Sequence, residues 1–194
     1  KTIQRNWIGK SEGAYIDFRI EGMEELSVKV FTTRPDTIFG CTFLVLAKDH
    51  DLVSSLTTVS QQHSIAAFIE QSNAKSTDSK TAGQKTTDGA WTGSFAIHPI
   101  TGEKIPIWIA DYVLKDYGTG AIMAVPGDDE RDLAFAKFHT LPVVEIIDRT
   151  GVNGGAIEDK QGILINSSFL DGLVIEAATT AMLDYLEKNH LGTR

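Results

Sequence analysis

The amino-acid sequence predicts a mixed α/β fold with a largely antiparallel, barrel-like β core and peripheral helices. At least six short segments have strand-like patterns, few helices separate most of them, and the final helical pattern is amphipathic. The chain has 194 residues, of which 42% are hydrophobic, so residues 1–194 are expected to form one domain with a packed core. The first residue is lysine, and we expect this domain to be a piece of a longer protein.

The first part of the chain predicts a hairpin, a buried strand and two helices. Residues 14–20 and 27–32 alternate apolar and polar side chains, and the polar link between them predicts a β-hairpin. Residues 42–47 form an apolar run, which predicts a buried strand. Residues 49–56 and 64–71 have helix-like composition.

The second part of the chain predicts further strands and two more helices. A stretch rich in Ser, Thr, Lys and Gly at residues 72–89 predicts an exposed loop. A helix is predicted to begin near Asp128, and an amphipathic helix begins near Ile175. Strand patterns are found at residues 91–97, 104–109, 121–125, 143–147 and 162–165.

Charge and composition exclude several classes of protein. The 18 basic and 26 acidic residues give a net charge of −8, so the domain alone is not expected to bind nucleic acid tightly. It could still contact one end of a nucleic acid that another part of a larger protein holds in place. No apolar run approaches the roughly 20 residues needed to cross a bilayer, so no membrane partner is expected. The single cysteine, Cys41, fits a reducing compartment and a small core residue.

Common catalytic signatures are absent from the sequence, but one strand end carries an unusual set of groups. There is no serine elbow, no Walker loop and no histidine pair at helical metal-ligand spacing. Residues 32–40 combine the hydroxyls of three threonines with the charges of Arg34 and Asp36, and a strand needs none of these. The segment could form a binding site or a polar turn around Pro35. The threonines are Thr32, Thr33 and Thr37.

A second segment, residues 118–132, ends in three carboxylates. A helix beginning near Asp128 would place Asp128, Asp129 and Asp132 on one face, exposed in the first turn. Such residues commonly cap a helix and stabilise its dipole. They could also bind Mg²⁺ or Ca²⁺, although no calcium-loop spacing is present.

These two segments together resemble the editing insertion, connective peptide 1, of leucyl-tRNA synthetase, in its bacterial and organellar form. The resemblance rests on TTRPDT at residues 32–37, on DYGTGAIMAVP at 116–126 and on DERD at 129–132. The segments at 4–14 and 99–108 match as well, so nearly the whole chain is covered. The related valyl- and isoleucyl-tRNA synthetase domains would share the fold but differ around residues 34–37.

The resemblance implies hydrolysis of the ester between a wrong amino acid, such as isoleucine or norvaline, and the 3′-terminal adenosine of leucine tRNA. A second, hydrolytic site is needed because one methylene more or less in an apolar pocket changes the binding free energy of an amino acid by only about 1–3 kcal/mol. Asp132 would bind the α-ammonium, Thr32 and Thr33 would lie near the scissile carbonyl and the water, and Thr37 would exclude leucine. The amino-acid pocket would include Met123 and Val125, and the residues supporting the loop and the nucleotide would be Arg34, Asp36, Tyr117, Gly118 and Asp129.

The same resemblance implies partners and a location. The partners would be leucine tRNA and the rest of an ATP-dependent synthetase, with AMP or boron-nucleotide adducts as possible ligands and with no metal or cofactor. The location would be the cytoplasm or an organellar matrix. The chain departs from the family at Asp128, where histidine is usual, and at Asp111, where asparagine is commoner. Two other interpretations stay open: an adenosine-binding module built on residues 118–120, and a metal-dependent phosphohydrolase built on Asp128, Asp129 and Asp132.

Overall fold

The computed structural model describes residues 13–75, 87–150 and 161–194, and their main secondary-structure elements follow the predicted order. The strands are β1 (Ala14–Ile20), β2 (Met23–Thr32), β3 (Phe43–Ala47), β4 (Gly89–Ile97), β5 (Lys104–Ala110), β6 (Ala121–Ala124), β7 (Ile147–Asp148), β8 (Ile163–Leu164) and β9 (Gly192–Thr193). The α-helices are α1 (Val53–Leu56), α2 (Gln62–Ala74), α3 (Glu130–His139) and α4 (Ile175–Lys188), and a 3-10 helix spans Pro35–Gly40.

The predicted hairpin is confirmed as β1 and β2, whose register runs from the Ala14–Thr32 pair to a turn at Gly22. Alternate residues of β1 are buried, because the apolar set with a period of two faces the core. Gly22 has a φ of 80°, a conformation that glycine adopts without steric cost. The second strand begins at Met23, four residues before the predicted start.

The sheet has the strand order β2-β1-β4-β5-β3-β6, and β9 pairs with β1. Every neighbouring pair in it is antiparallel except β3 and β5, which are parallel. The two outer strands, β2 and β6, lie against each other, but no hydrogen-bonded ladder joins them within the described residues. The predicted antiparallel core is therefore confirmed, with a curled, open sheet in place of a closed barrel.

Strand β3 is buried along its whole length because both faces of the sheet are covered there. Leu44 and Leu46 belong to the main core, while Phe43 and Val45 face a second cluster around Phe135 of α3. An apolar run without alternation is the pattern expected of such a strand.

The helices differ from prediction mainly at their ends. Helix α3 begins at Glu130, and Asp129 is its N-cap, so Asp128 lies outside the helix. Only residues 53–56 of the predicted 49–56 helix are α-helical. The predicted strand at 143–147 shrinks to the two-residue β7, which pairs with β8 in a separate sheet.

Two predicted features fall largely outside the described residues. These are most of the loop at 72–89 and nearly all of the segment at 4–14 that resembles the family. Within the described residues, none of the helices has the combined length and apolar character needed to span a membrane.

Candidate active site

The threonine-rich segment forms a tight turn between β2 and the 3-10 helix. Pro35 occupies the start of that helix, where its fixed backbone angle is favourable. The Thr32 hydroxyl accepts a hydrogen bond from the Arg34 amide at 2.9 Å, and the Thr37 hydroxyl donates to the Arg34 carbonyl at 2.8 Å. Two of the three hydroxyls therefore hold the turn itself, as the polar-turn interpretation predicts. The third threonine, Thr33, is exposed.

Arg34 and Asp36 form the first part of a buried charge network. The Asp36 carboxylate is fully buried and accepts two hydrogen bonds from the Arg34 guanidinium, both at 2.9 Å. Thr179 of α4 also donates to Asp36, at 3.2 Å. Burial opposes the charge of Arg34, but the bonds to Asp36 and the charges of Asp36 and Asp128 outweigh it and raise the pKa of Arg34.

Asp128 extends this network to a distant part of the chain. It accepts from Arg34 at 3.0 Å with one oxygen and from Arg149 at 2.7 Å with the other. Its burial raises its pKa even though both guanidinium groups favour the ionised form. The two cations and two anions of the network thus connect the threonine turn, the segment before α3 and the end of β7. We call Arg34, Asp36, Asp128 and Arg149 the charge network.

The prediction that three carboxylates share an exposed helix face is wrong. Asp128 bonds to Arg34 and Arg149, whereas the Asp129 side chain caps α3 by accepting from the amides of Arg131 and Asp132. In the part of the chain that the structure describes, no three His, Cys, Asp or Glu residues are grouped to hold a metal ion. The carboxylates have separate partners and form no oxygen cage of the kind a phosphohydrolase requires.

Asp132 is buried, with only 3% of its surface exposed, whereas its position in the first turn of a helix predicted exposure. One oxygen accepts from the Tyr112 hydroxyl at 2.7 Å, and the other accepts from the Val125 amide at 2.9 Å. Burial, followed by the nearby charge of Asp129, raises the pKa of Asp132 to about 7. This carboxylate can therefore change its charge near neutral pH, which is typical of functional sites.

The predicted pocket residues lie where the 3-10 helix meets the end of β6. Thr37 is 2% exposed, and both Met123 and Val125 are buried in the main core. Gly40 packs so closely on Val125 that a Cβ added at Gly40 would lie 3.1 Å from a Val125 methyl. The helix that carries Thr37 is therefore in direct contact with the residue whose amide binds Asp132.

The glycine turn lies beside the end of β2 that leads to Thr32. A Cβ at Gly118 would contact the Phe31 side chain at 3.4 Å, and the φ of Gly118 is 60°. Tyr117, by contrast, is 75% exposed, so its ring does not line a closed cavity. The turn thus presents a large aromatic surface to solvent next to the threonine segment.

Sequence reasoning missed four residues that hold the site together. Arg149 and Thr179 carry no motif, and their role depends on the tertiary fold alone. Tyr112 follows β5 and lies four residues before the recognised segment at 116–126. His98 is buried, and its Nε2 donates to the Ile38 carbonyl at 2.8 Å, because Nδ1 already accepts from two backbone amides.

Comparison with known proteins identifies the family of this chain. The family model for the leucyl-tRNA synthetase editing domain matches residues 5–187. A similar solved structure is the ternary complex of Agrobacterium radiobacter K84 agnB2 LeuRS with tRNA and LeuAMS, at 34% identity and a TM-score of 0.72. The alignment covers 98% of this chain and 20% of that one, so the chain spans about a fifth of the length of its relative. The chain therefore belongs to the family of leucyl-tRNA synthetase editing domains.

Proposed function

We propose that this chain hydrolyses the ester of leucine tRNA mischarged with a smaller or differently branched amino acid, as the editing unit of a leucyl-tRNA synthetase. The observation that carries the proposal is Asp132, a buried carboxylate held by the Tyr112 hydroxyl and the Val125 amide, whose pKa burial raises to about 7, in a chain of this family. The substrate would be isoleucyl- or norvalyl-tRNA, and the protein would act in the cytoplasm or an organellar matrix.

In this proposal, Asp132 binds the α-ammonium of the misattached amino acid. A charge-assisted hydrogen bond of this kind contributes roughly 1.5–3 kcal/mol without any metal. Two of the lone-pair directions of Asp132 are taken by Tyr112 and Val125, and a carboxylate has about four. The proposal assigns the remaining lone-pair directions of this buried carboxylate to the ammonium group.

The hydrolytic step needs a water molecule and a leaving ribose oxygen. The water oxygen bonds to the ester carbonyl carbon, the bond from that carbon to the ribose oxygen breaks, and the ribose oxygen gains a proton. The exposed hydroxyl of Thr33 and the hydroxyl of Thr32 are the protein groups suited to orient the water and the carbonyl. A ribose hydroxyl of the tRNA assists, which agrees with a site that has no serine, cysteine or histidine nucleophile in its motifs.

Selection against leucine is assigned to Thr37. The hydrogen bond from its hydroxyl to the Arg34 carbonyl fixes the rotamer, so its methyl group has one position. A fixed group can reject a larger side chain by repulsion more strongly than an apolar pocket rejects a smaller one. Met123 and Val125 supply the apolar surroundings.

Delivery of the substrate depends on other parts of the synthetase. The net charge of −8 opposes tRNA binding by the domain alone, whereas tethering would give a high effective concentration of the 3′ end. The charge network bonds to the threonine turn, and the support of the terminal adenosine is assigned to Asp129, Tyr117 and Gly118. AMP and boron-nucleotide adducts are the small ligands expected there.

The test is release of labelled amino acid from isoleucyl-tRNA by the full-length synthetase carrying this chain. Asp132→Ala is expected to lower the rate at least tenfold, because it removes the ammonium anchor. The matched control is Asp184→Ala, which removes an exposed carboxylate on α4 and should leave the rate unchanged. If the wild-type enzyme binds AMP but releases no amino acid, the domain is an adenosine-binding module and the proposal is wrong.

A further inference from the structure

Within the described residues, Tyr112 is the one side chain that donates a hydrogen bond to the Asp132 carboxylate. It follows β5, whereas Asp132 lies in the first turn of α3, 20 residues further along the chain. The contact therefore joins two separate elements at the candidate site.

The Tyr112 ring is held in place independently of its hydroxyl. It packs against the Phe135 ring of α3 with a centroid distance of 5.7 Å. On another side, the Arg131 guanidinium lies 5.5 Å from the ring centroid. Because both contacts use the ring, the hydroxyl is directed at Asp132 before any substrate arrives, and a Tyr112→Phe change would preserve the packing.

The two donors on Asp132 constrain its carboxylate more than either would alone. Tyr112 bonds to Oδ1 and the Val125 amide bonds to Oδ2, so rotation of the carboxylate about its last bond would break both. The amide belongs to the backbone next to β6 and cannot be removed by substitution of a side chain. Tyr112 is therefore the part of this arrangement that mutation can test.

We propose that Tyr112 is a positioning residue for editing: its hydroxyl keeps the Asp132 carboxylate oriented and ionised so that it can bind the substrate ammonium. The inference rests on the proposed function, since it assigns Asp132 the role of ammonium anchor. In this assignment, Tyr112 acts through Asp132 and not by contact with the ester or the water.

Among the residues that the structure describes, four titratable groups interact with Asp132 from the elements packed around it. Asp129, at the start of α3, opposes ionisation of Asp132, whereas Arg131 and the Tyr112 hydroxyl favour it. Cys41 precedes β3, and its thiol is kept neutral because burial and the Asp132 charge raise its pKa. With burial already raising the pKa of Asp132 to about 7, loss of the Tyr112 hydroxyl should move that pKa further up and leave the carboxyl neutral at physiological pH.

The pH profile of deacylation is the first test, in the full-length synthetase with isoleucyl-tRNA as substrate. For wild type, kcat/KM should rise with pH through about 7 as Asp132 ionises. For Tyr112→Phe, the midpoint of that rise should move up by about one pH unit, with roughly tenfold lower activity on the acid side. Tyr185→Phe is the matched control, because it removes a phenol hydroxyl from α4 and should leave the profile unchanged. An unshifted rise in Tyr112→Phe would overturn the inference.

The second test needs no catalysis and separates the inference from the proposed function. The carboxyl carbon of Asp132 is titrated by NMR in the wild-type chain and in Tyr112→Phe. A higher midpoint in the variant supports the inference, and equal midpoints overturn it. Absence of deacylation by the wild-type synthetase would instead refute the proposed function, whatever the titration shows.

Discussion

Removal of the Asp36 carboxylate is expected to destabilise the fold because it leaves the Arg34 charge without its main partner. Asp36 is fully buried and binds the Arg34 guanidinium through two hydrogen bonds of 2.9 Å. Breaking a buried ion pair by removing one partner costs about 3–5 kcal/mol. The Arg34 side chain is 21% exposed and keeps its bond to Asp128, so we expect the lower end, about 3 kcal/mol, for Asp36→Ala.

Urea unfolding followed by tryptophan fluorescence measures this effect, since the chain contains three tryptophans. With a denaturant slope of about 2 kcal/mol/M, a loss of 3 kcal/mol lowers the unfolding midpoint by roughly 1.5 M. Asp184→Ala is the control, because its ion pair with Arg194 is exposed and such pairs contribute at most about 1 kcal/mol. The double change Arg34→Met with Asp36→Leu should cost less than Asp36→Ala, since it removes both charges. Equal midpoints for Asp36→Ala and Asp184→Ala would refute the view that the charge network holds the threonine turn.

Three further predictions concern the buried Asp132 and His98 and the absence of a metal. Because the pKa of Asp132 is raised to about 7 in the folded state, Asp132 contributes stability that is complete below about pH 4 and is lost as pH rises to about 7. The difference in unfolding free energy between wild type and Asp132→Asn should therefore fall over that range. A constant difference would contradict this prediction. Burial lowers the pKa of His98, so the contribution of His98 to stability should be lost as pH falls below about 6.5. The difference in unfolding free energy between wild type and His98→Gln should decrease toward acid pH, and a constant difference would contradict this prediction. EDTA should leave deacylation unchanged when spermidine keeps the tRNA folded, because the Asp128, Asp129 and Asp132 carboxylates bond to protein donors. A loss of deacylation activity that Mg²⁺ or Zn²⁺ reverses would favour the phosphohydrolase interpretation.

The strands were predictable because burial leaves a local pattern in the sequence. The alternation in β1 correctly indicates a strand with one buried face. The unbroken apolar run of β3 correctly indicates a strand that is buried on both faces. The start of α3 was not predictable, since Asp128 and Asp129 are equally good N-cap residues and only their tertiary partners distinguish them.

The candidate site was predictable as a set of motifs but not as an arrangement. Arg34 and Asp128 are 94 residues apart, and no local pattern indicates that they pair. Burial of Asp132 depends on Tyr112 and on the backbone of Val125, so composition alone predicts an exposed carboxylate there. Motif resemblance singled out candidate residues, whereas only the fold revealed which of them bond to one another.

The most direct test of the account compares hydrolysis of leucyl-tRNA and isoleucyl-tRNA by the full-length synthetase, in wild type and in Thr37→Ala. Thr37 is buried and its rotamer is fixed by the Arg34 carbonyl, so its removal opens space for about one branch of a side chain. We predict that wild type releases isoleucine and spares leucine, and that Thr37→Ala releases both. An unchanged ratio of leucyl to isoleucyl hydrolysis in Thr37→Ala would contradict the account and make Thr37 a residue of the turn alone.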